Sequence, residues 1–438
     1  MRKKLLILTT AVLSLTLFGC PPKTGETTGT GSGGPAGGEI LVGEYGSLSG
    51  PQATFGQSTH QGIMIAIDEI NAAGGVNGRR LKVLTEDDQS RQDEAATAVT
   101  KLISQNNVVA VLGEVASSAS IAAAPICQQN KVPMITPSST NEEVTKKGDY
   151  IFRMCFIDNY QGEQLAVFIA QPKEQQGLGA KRIAVLIDNK SDYSTGLAKV
   201  IEQKFTQLGG QIVARASYAN GDSDFKSQLT AVKAANPEVL VVPGYYTDIG
   251  QIAIQARDLG MTQPLVGGDG WESPKLIEIG GKALEGCFYS NHYFAEDPDP
   301  AVRQFVEKYK QRHGQTPDSL AALGYDAAKV LADAIKRAGT TDGPALRDAI
   351  AATKGFPGVT GTINLGPDRN PYGKKMVIVE IKNGQLTLRT SIDPSKNTAG
   401  GGTPAGTTTG TPAGTTTGTT TGTTGAATGT TGTTGATQ

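Results

Sequence analysis

This chain of 438 residues has few of the side chains that usually carry chemistry: three histidines, four cysteines and one tryptophan. His60, His292 and His313 are far apart and not in metal-ligand spacing, which argues against a zinc site of the usual kind. There is no G-x-x-x-x-G-K-[ST] phosphate loop, no H-E-x-x-H and no G-x-S-x-G elbow. Acidic pairs such as Asp87-Asp88 and Asp297/Asp299 read as solvated loop carboxylates, and His60 and His313 as surface positions. Neither charge sign dominates, the net charge is −1, and no basic stripe is visible, so nucleic acid is not an expected partner. The apolar run Leu5–Phe18 counts 14 residues, short of the roughly 20 a spanning helix needs. The expectation is a binder, with no catalytic residue, metal or cofactor.

Met1-Arg2-Lys3-Lys4, that short apolar run and Gly19 have the layout of a secretory signal. Leu17-Phe18-Gly19-Cys20 resembles the bacterial lipobox, in which the cysteine is lipidated and becomes the new N-terminus; the plain alternative is an ordinary signal peptide cut nearby. The lipobox reading makes 1–19 a signal peptide and places the protein in the periplasm or at the cell surface, tethered to a membrane through Cys20. Residues 20–38 then form a flexible linker. From about 393 onward the chain is nearly all Thr, Gly, Ala and Pro, with Gly402–Thr409 repeated at 410–417. A segment with so little to bury does not offset its ordering entropy and is expected to be disordered. Cys127, Cys155 and Cys287 remain, and the sequence leaves open whether a pair bridges or all are buried thiols.

About 355 residues are left, enough for two lobes. Strand-like and helical periods alternate through them. Strands at Ile40–Gly43, Leu81–Leu84, Val108–Leu112 and Val132–Ile135 enclose helices near 63–70, 93–105 and 118–129. The pattern restarts with strands at Arg182–Ile187, Ile212–Tyr218 and Val239–Val242 and helices at 194–208, 225–235 and 249–259. Helices near 300–313, 319–338 and 343–353 follow, then two strands that meet at Asn383-Gly384. Two such βα runs predict an α/β protein with two parallel sheets, each covered by helices.

In open parallel sheets ligands bind beyond the carboxyl ends of the strands. The residues there form a coherent set. Gly113–Ser120, with Ser117 and Ser118 opening a helix, and Thr136–Thr140 are small and hydroxyl-rich, suited to an anion such as a carboxylate. Ser117 and Ser118 also fit the plainer role of helix N-caps. In the second run the strand ends carry Asp188, Tyr193, Tyr245, Tyr246 and the stretch Gly267–Trp271. Asp269 is placed to accept an ammonium group, or is a turn carboxylate. An anion site facing a carboxylate with aromatics fits a zwitterionic amino acid bridging a cleft.

Five segments together resemble the leucine/isoleucine/valine-binding proteins, the type I periplasmic receptors of amino-acid ABC transporters: Gly46–Pro51, Asp68–Gly75, Met134–Thr140, Tyr193–Leu197 and Gly324–Ala327. The resemblance runs from about Glu39 to Arg389. It implies two Rossmann-like lobes with parallel sheets joined by three hinge crossings, near Phe156–Asn159, Tyr289–His292 and Tyr372–Lys375. Residues 39–157 plus 290–372 would form one lobe and 158–289 plus 373–392 the other. It implies that Ser117, Ser138 and Thr140 hold a ligand carboxylate and that Ser138, Thr140 and Asp269 hold the α-ammonium. Phe55, Tyr193 and Tyr245 would wall the side-chain pocket, with Ala116 and Trp271 beside it. The implied partners are an apolar, branched-chain amino acid and ABC permease subunits, and the protein is expected to act as a monomer. Asp269 stands where branched-chain binders carry the longer Glu. That leaves room for an amide, urea or aromatic carboxylate as ligand, or for a role as a ligand sensor.

Overall fold

The computed structural model describes residues 38–394; the signal segment, Cys20 and the Thr/Gly-rich tail lie outside the described residues. The first sheet is wholly parallel and built from β1 (Ile40–Gly46), β2 (Leu81–Asp87), β3 (Ala110–Leu112), β4 (Met134–Thr136) and β5 (Ile151–Arg153), in the order β2-β1-β3-β4-β5. Helices α1 (Ala53–Ala72), α2 (Gln92–Ser104), α3 (Ser117–Asn130) and the short α4 (Glu143–Lys146) connect its strands. β3, β4 and β5 are buried along their whole length, and β3 accordingly reads as an unbroken apolar run.

The second sheet is reached through α5 (Asp158–Ala170). It runs through β6 (Arg182–Asp188), α6 (Asp192–Gln207), β7 (Gln211–Tyr218), α7 (Lys226–Ala234), β8 (Val239–Val241), α8 (Tyr246–Asp258), β9 (Leu265–Gly267), α9 (Pro274–Gly280) and β10 (Phe288–Asn291). The chain then returns to the first sheet with α10 (Pro300–His313), α11 (Ser319–Ala338), α12 (Gly343–Ala351) and the small hairpin β11 (Phe356–Gly358) and β12 (Gly361–Ile363). It finishes on the second sheet with β13 (Met376–Lys382) and β14 (Gln385–Ile392), giving the order β14-β13-β10-β9-β8-β6-β7. The last two strands pair antiparallel, and Asn383 and Gly384 both take positive φ, as a tight primed hairpin turn requires.

Each sheet has its own apolar core, and the chain passes between cores three times. Cys155 belongs to the first and Phe156 to the second; Tyr289 belongs to the second and Tyr293 to a cluster with α10 and α11; Leu365 belongs to the first and Met376 to the second. Several elements were not read from the sequence, among them the short α4, β5, α9 and the β11–β12 hairpin, and two of them bear on the site. Helix α5 is buried on several sides, so it shows no amphipathic stripe, and β10 is only four residues long. One expectation is corrected. Asp88 is not a solvated carboxylate: it is fully buried, accepting from the Ser47 hydroxyl at 3.0 Å and from Ser90 N at 3.0 Å. Cys127, Cys155 and Cys287 are all buried free thiols. Among the described residues no helix is long and apolar enough to cross a membrane, and no group of three or more His, Cys, Asp or Glu is arranged to hold a metal ion.

Candidate functional site

The carboxyl ends of the two sheets face each other, and seven of the nine sequence-predicted ligand residues meet there. Phe55, Ser117, Ser138, Thr140, Tyr193, Tyr245 and Asp269 line one narrow cavity, together with Val115, Gly270 and Leu320. The first sheet supplies hydroxyls from the loops after β3 and β4. Ser117 does not cap its own helix; its Oγ accepts from the Asn141 N–H at 3.2 Å, tying the two loops together. Ser139 ties them further, its Oγ lying 2.9 Å from both the Glu114 and the Val115 carbonyl oxygens. Ser138 Oγ is buried and without a partner in the protein. A buried hydroxyl left unpaired is costly and marks a place where a ligand oxygen would be satisfied.

The second sheet answers with a carboxylate. Asp269 follows β9, is only 7 % exposed, and is held by two residues that the sequence reading did not single out. Gln161 Nε2 donates to its Oδ1 at 2.6 Å, and His292 Nε2 lies 3.0 Å from its Oδ2. Gln161 lies on α5 and His292 just beyond β10, so neither neighbours Asp269 in sequence. His292 stacks on Phe156 with 3.9 Å between ring centroids, so two of the chain's three passages touch at the site. Gly268 has a packing reason to be glycine: a Cβ there would press on Tyr193 Oη and Gln161 Oε1. Asp158, also on α5, is a second buried acid; burial and the neighbouring Asp269 charge push its carboxyl well above the ordinary range. No Lys or Arg lines the cavity.

Three rings form the wall. Tyr193 and Tyr245 stack at 5.4 Å, Phe55 meets Tyr245 edge-on at 5.6 Å, and Tyr193 Oη accepts from the Gly270 N–H. Two predicted residues stand apart. Trp271 points into the second core, where its Nε1 donates to the Val242 carbonyl and its ring stacks on Tyr289. Ala116 lines an adjoining cleft with Ser47, Ser118, Asp188 and Ser191, on the other side of Tyr245. Tyr246 packs on Phe55 and donates to the Pro51 carbonyl.

Direct hydrogen bonds bridge the two sheet units around this cavity. Ser118 Oγ accepts from the Asp192 N–H at 2.9 Å, Asn141 Nδ2 donates to the Asp192 carbonyl at 2.7 Å, and the Thr54 and Ser273 hydroxyls lie 3.0 Å apart. The arrangement offers hydroxyls at one end, a carboxylate at the other and aromatic faces between. Chemically, such a set can satisfy an anionic group at one end and a cationic group at the other.

Comparison with known proteins bears on the family and the fold. Residues 39–385 match the family model described as periplasmic binding protein. A leucine-, isoleucine-, valine-, threonine- and alanine-binding protein of Pseudomonas aeruginosa is 31 % identical over 331 residues, covering 75 % of this chain and 86 % of that one. A crystal structure of a leucine-binding protein from Thermotoga maritima is 40 % identical, with a TM-score of 0.77, over 81 % of this chain and 99 % of that one. The branched-chain amino acid transporter substrate-binding protein of Streptococcus pneumoniae, solved with isoleucine, is 32 % identical with a TM-score of 0.76, over 81 % of this chain and 100 % of that one.

Proposed function

This chain belongs to the periplasmic binding protein family, and from that premise we propose that it is the extracytoplasmic receptor of an ABC importer for an apolar, branched-chain L-amino acid. The observation that carries the ligand class is Asp269 facing the hydroxyls of Ser117, Ser138 and Thr140 across one aromatic-walled cavity. In this reading the hydroxyl loops hold the ligand carboxylate. Ser138, Thr140 and Asp269 hold its ammonium, and Phe55, Tyr193 and Tyr245 enclose its side chain. Charge-assisted hydrogen bonds fix both ends of the zwitterion, and the apolar walls select the side chain. We take 39–157 plus 292–372 as one lobe and 158–291 plus 373–392 as the other, closing about the three passages; the second boundary falls two residues later than the sequence reading because Ser290 and Asn291 pair with β13 in the second sheet. Ligand contacts made only in the closed form drive closure, because a ligand shifts an equilibrium only by its differential affinity for the two states. The closed monomer then docks on a permease. We further propose that Cys20 is lipidated after removal of residues 1–19, which metabolic labelling with a fatty acid and loss of label in Cys20→Ser tests.

Isothermal calorimetry of the protein against L-leucine, L-isoleucine, L-valine, their D-enantiomers and leucinamide tests the ligand assignment. Tight binding of an L-branched-chain acid and weak binding of its D-form and amide are expected. Preference for an uncharged amide or an aromatic carboxylate would overturn it.

A further inference from the structure

Arg153, the last residue of β5, is a fully buried guanidinium. It does not line the ligand cavity, and its three nitrogens go to neutral oxygens. Nη1 donates to the Ser139 carbonyl at 2.5 Å, Nη2 to the Asn141 carbonyl at 2.8 Å and Nε to Asn370 Oδ1 at 2.6 Å. A buried cation is tolerated only when its donors are satisfied, so these bonds tightly constrain what they touch. The two carbonyls bracket Thr140, between the residues that would hold the ligand. In a planar trans peptide the N–H points opposite to the C=O. With the Ser139 carbonyl fixed on Arg153, the Thr140 N–H therefore points away from the guanidinium. The planar fork is what allows one side chain to grip two carbonyls and a side-chain amide at once; a lysine ammonium has no such geometry.

The third bond leads out of the loop. Asn370 Oδ1 also accepts from Thr145 Oγ1 at 3.1 Å, and Arg369 Nη2 donates to the Thr145 carbonyl at 2.8 Å. Asn370 lies on the stretch that leaves the first core at Leu365 and enters the second at Met376. Arg153 thus joins the 138–141 loop to the third passage between the sheets.

We propose that Arg153 is a positioning residue of the carboxylate subsite, holding the 138–141 loop in its ligand-receiving shape and, through Asn370, coupling that loop to the third passage. The proposal rests on reading Ser138 and Thr140 as ligand-binding residues. Its test uses Arg153→Lys, Asn370→Ala and Asn370→Asp in the whole protein. L-leucine binding is measured by calorimetry well below each melting temperature, and backbone amide exchange at residues 138–145 is compared with that of the central strands. Arg153→Lys is expected to weaken leucine binding by about tenfold or more and to speed loop exchange more than strand exchange, because lysine does not span three acceptors. Asn370→Ala should do the same more weakly, by about threefold, because it takes from Arg153 one of its three acceptors and leaves both loop carbonyls in place. Asn370→Asp keeps the oxygen that Arg153 holds but gives up the Nδ2 donation to Asp368 at 2.8 Å, so it should recover part of both losses seen in Asn370→Ala. Unchanged affinity with unchanged loop exchange in Arg153→Lys and Asn370→Ala overturns the proposal. So does exchange that rises equally in loop and strands, which is mere destabilisation. If Arg153→Lys does not fold, the Asn370 pair decides. If the unmodified protein binds no branched-chain amino acid, the ligand assignment fails, and the exchange comparison still decides the role of Arg153.

Discussion

Asp269 shows how a short side chain is made specific by its surroundings. Gln161 and His292 occupy one oxygen each, fixing the carboxylate plane. Asp269→Asn removes the charge and little volume. The lost charge-assisted bonds should cost about 1.5–3 kcal/mol, roughly 10–150-fold in amino-acid affinity by calorimetry, with little change in melting temperature. Unaltered affinity would place the ammonium elsewhere. A second residue-scale effect comes from Ser47. Its single hydroxyl lies 2.9 Å from Glu114 Oε1 and 3.0 Å from Asp88 Oδ1, and one hydrogen satisfies only one of them. The acid pair therefore favours keeping a proton. Burial, and for Glu114 the Asp88 charge, push Glu114 up to about 8 and Asp88 to about 6. With its pKa above the unfolded value, Glu114 binds more proton in the folded state, so the stability it contributes is fully present below about pH 4.5 and is lost as pH rises toward 8. Glu114→Gln should flatten the fall of melting temperature between pH 5 and 8 in a thermal scan; an unchanged pH profile would remove the shared proton from the account.

At the scale of elements, α1 crosses α11 at close range. A Cβ added at Gly62 would run into the Ala321 backbone carbonyl, and one at Gly324 would meet the Thr59 carbonyl at 2.6 Å. Small residues on both helices let the backbones close together. The ion cluster of Glu69 with Lys308, Lys329 and the Tyr325 hydroxyl then ties α1 to α10 and α11. Gly62→Ala should therefore destabilise despite alanine's better helix propensity. Overpacking at such a site costs about 1–3 kcal/mol, read as a melting temperature several degrees lower. A rise in melting temperature would mean that the helices part freely.

At the scale of the molecule, the two sheet units are bridged around the cavity by few direct bonds. Asp192 makes two of them, its N–H donating to Ser118 Oγ and its carbonyl accepting from Asn141 Nδ2. Neither partner lines the ligand cavity, so their removal acts on closure rather than on ligand contact. Asn141→Ala should weaken amino-acid binding by about 0.5–1.5 kcal/mol, roughly 2- to 13-fold. The change should appear mainly as faster ligand release in stopped-flow measurements, because interface losses usually show in the off-rate. A change confined to the association rate would contradict this.

The βα grammar, the parallel sheets and the hydroxyl-rich strand ends were legible in the sequence because they rest on local periodicity and on a rule about where strands end. That rule also found Ser117, Ser138, Thr140, Tyr193, Tyr245 and Asp269, which lie just past strands or open the helices that follow. Helix α5 was not legible, since burial on several sides removes its stripe, and with it went Gln161 and Asp158. The chemistry of His292 was missed for a different reason: its meaning comes from Asp269 and Phe156, both distant in the chain. Trp271 illustrates the converse, a strand-end aromatic whose ring the core claims for packing on Tyr289. Sequence by itself determined which elements form and which residues stand at their ends, because those depend on near neighbours. Only the tertiary structure decided which end residues face the cavity, which acids stay buried beside one another and which arginine holds the loop, because those depend on contacts between segments that local patterning does not encode.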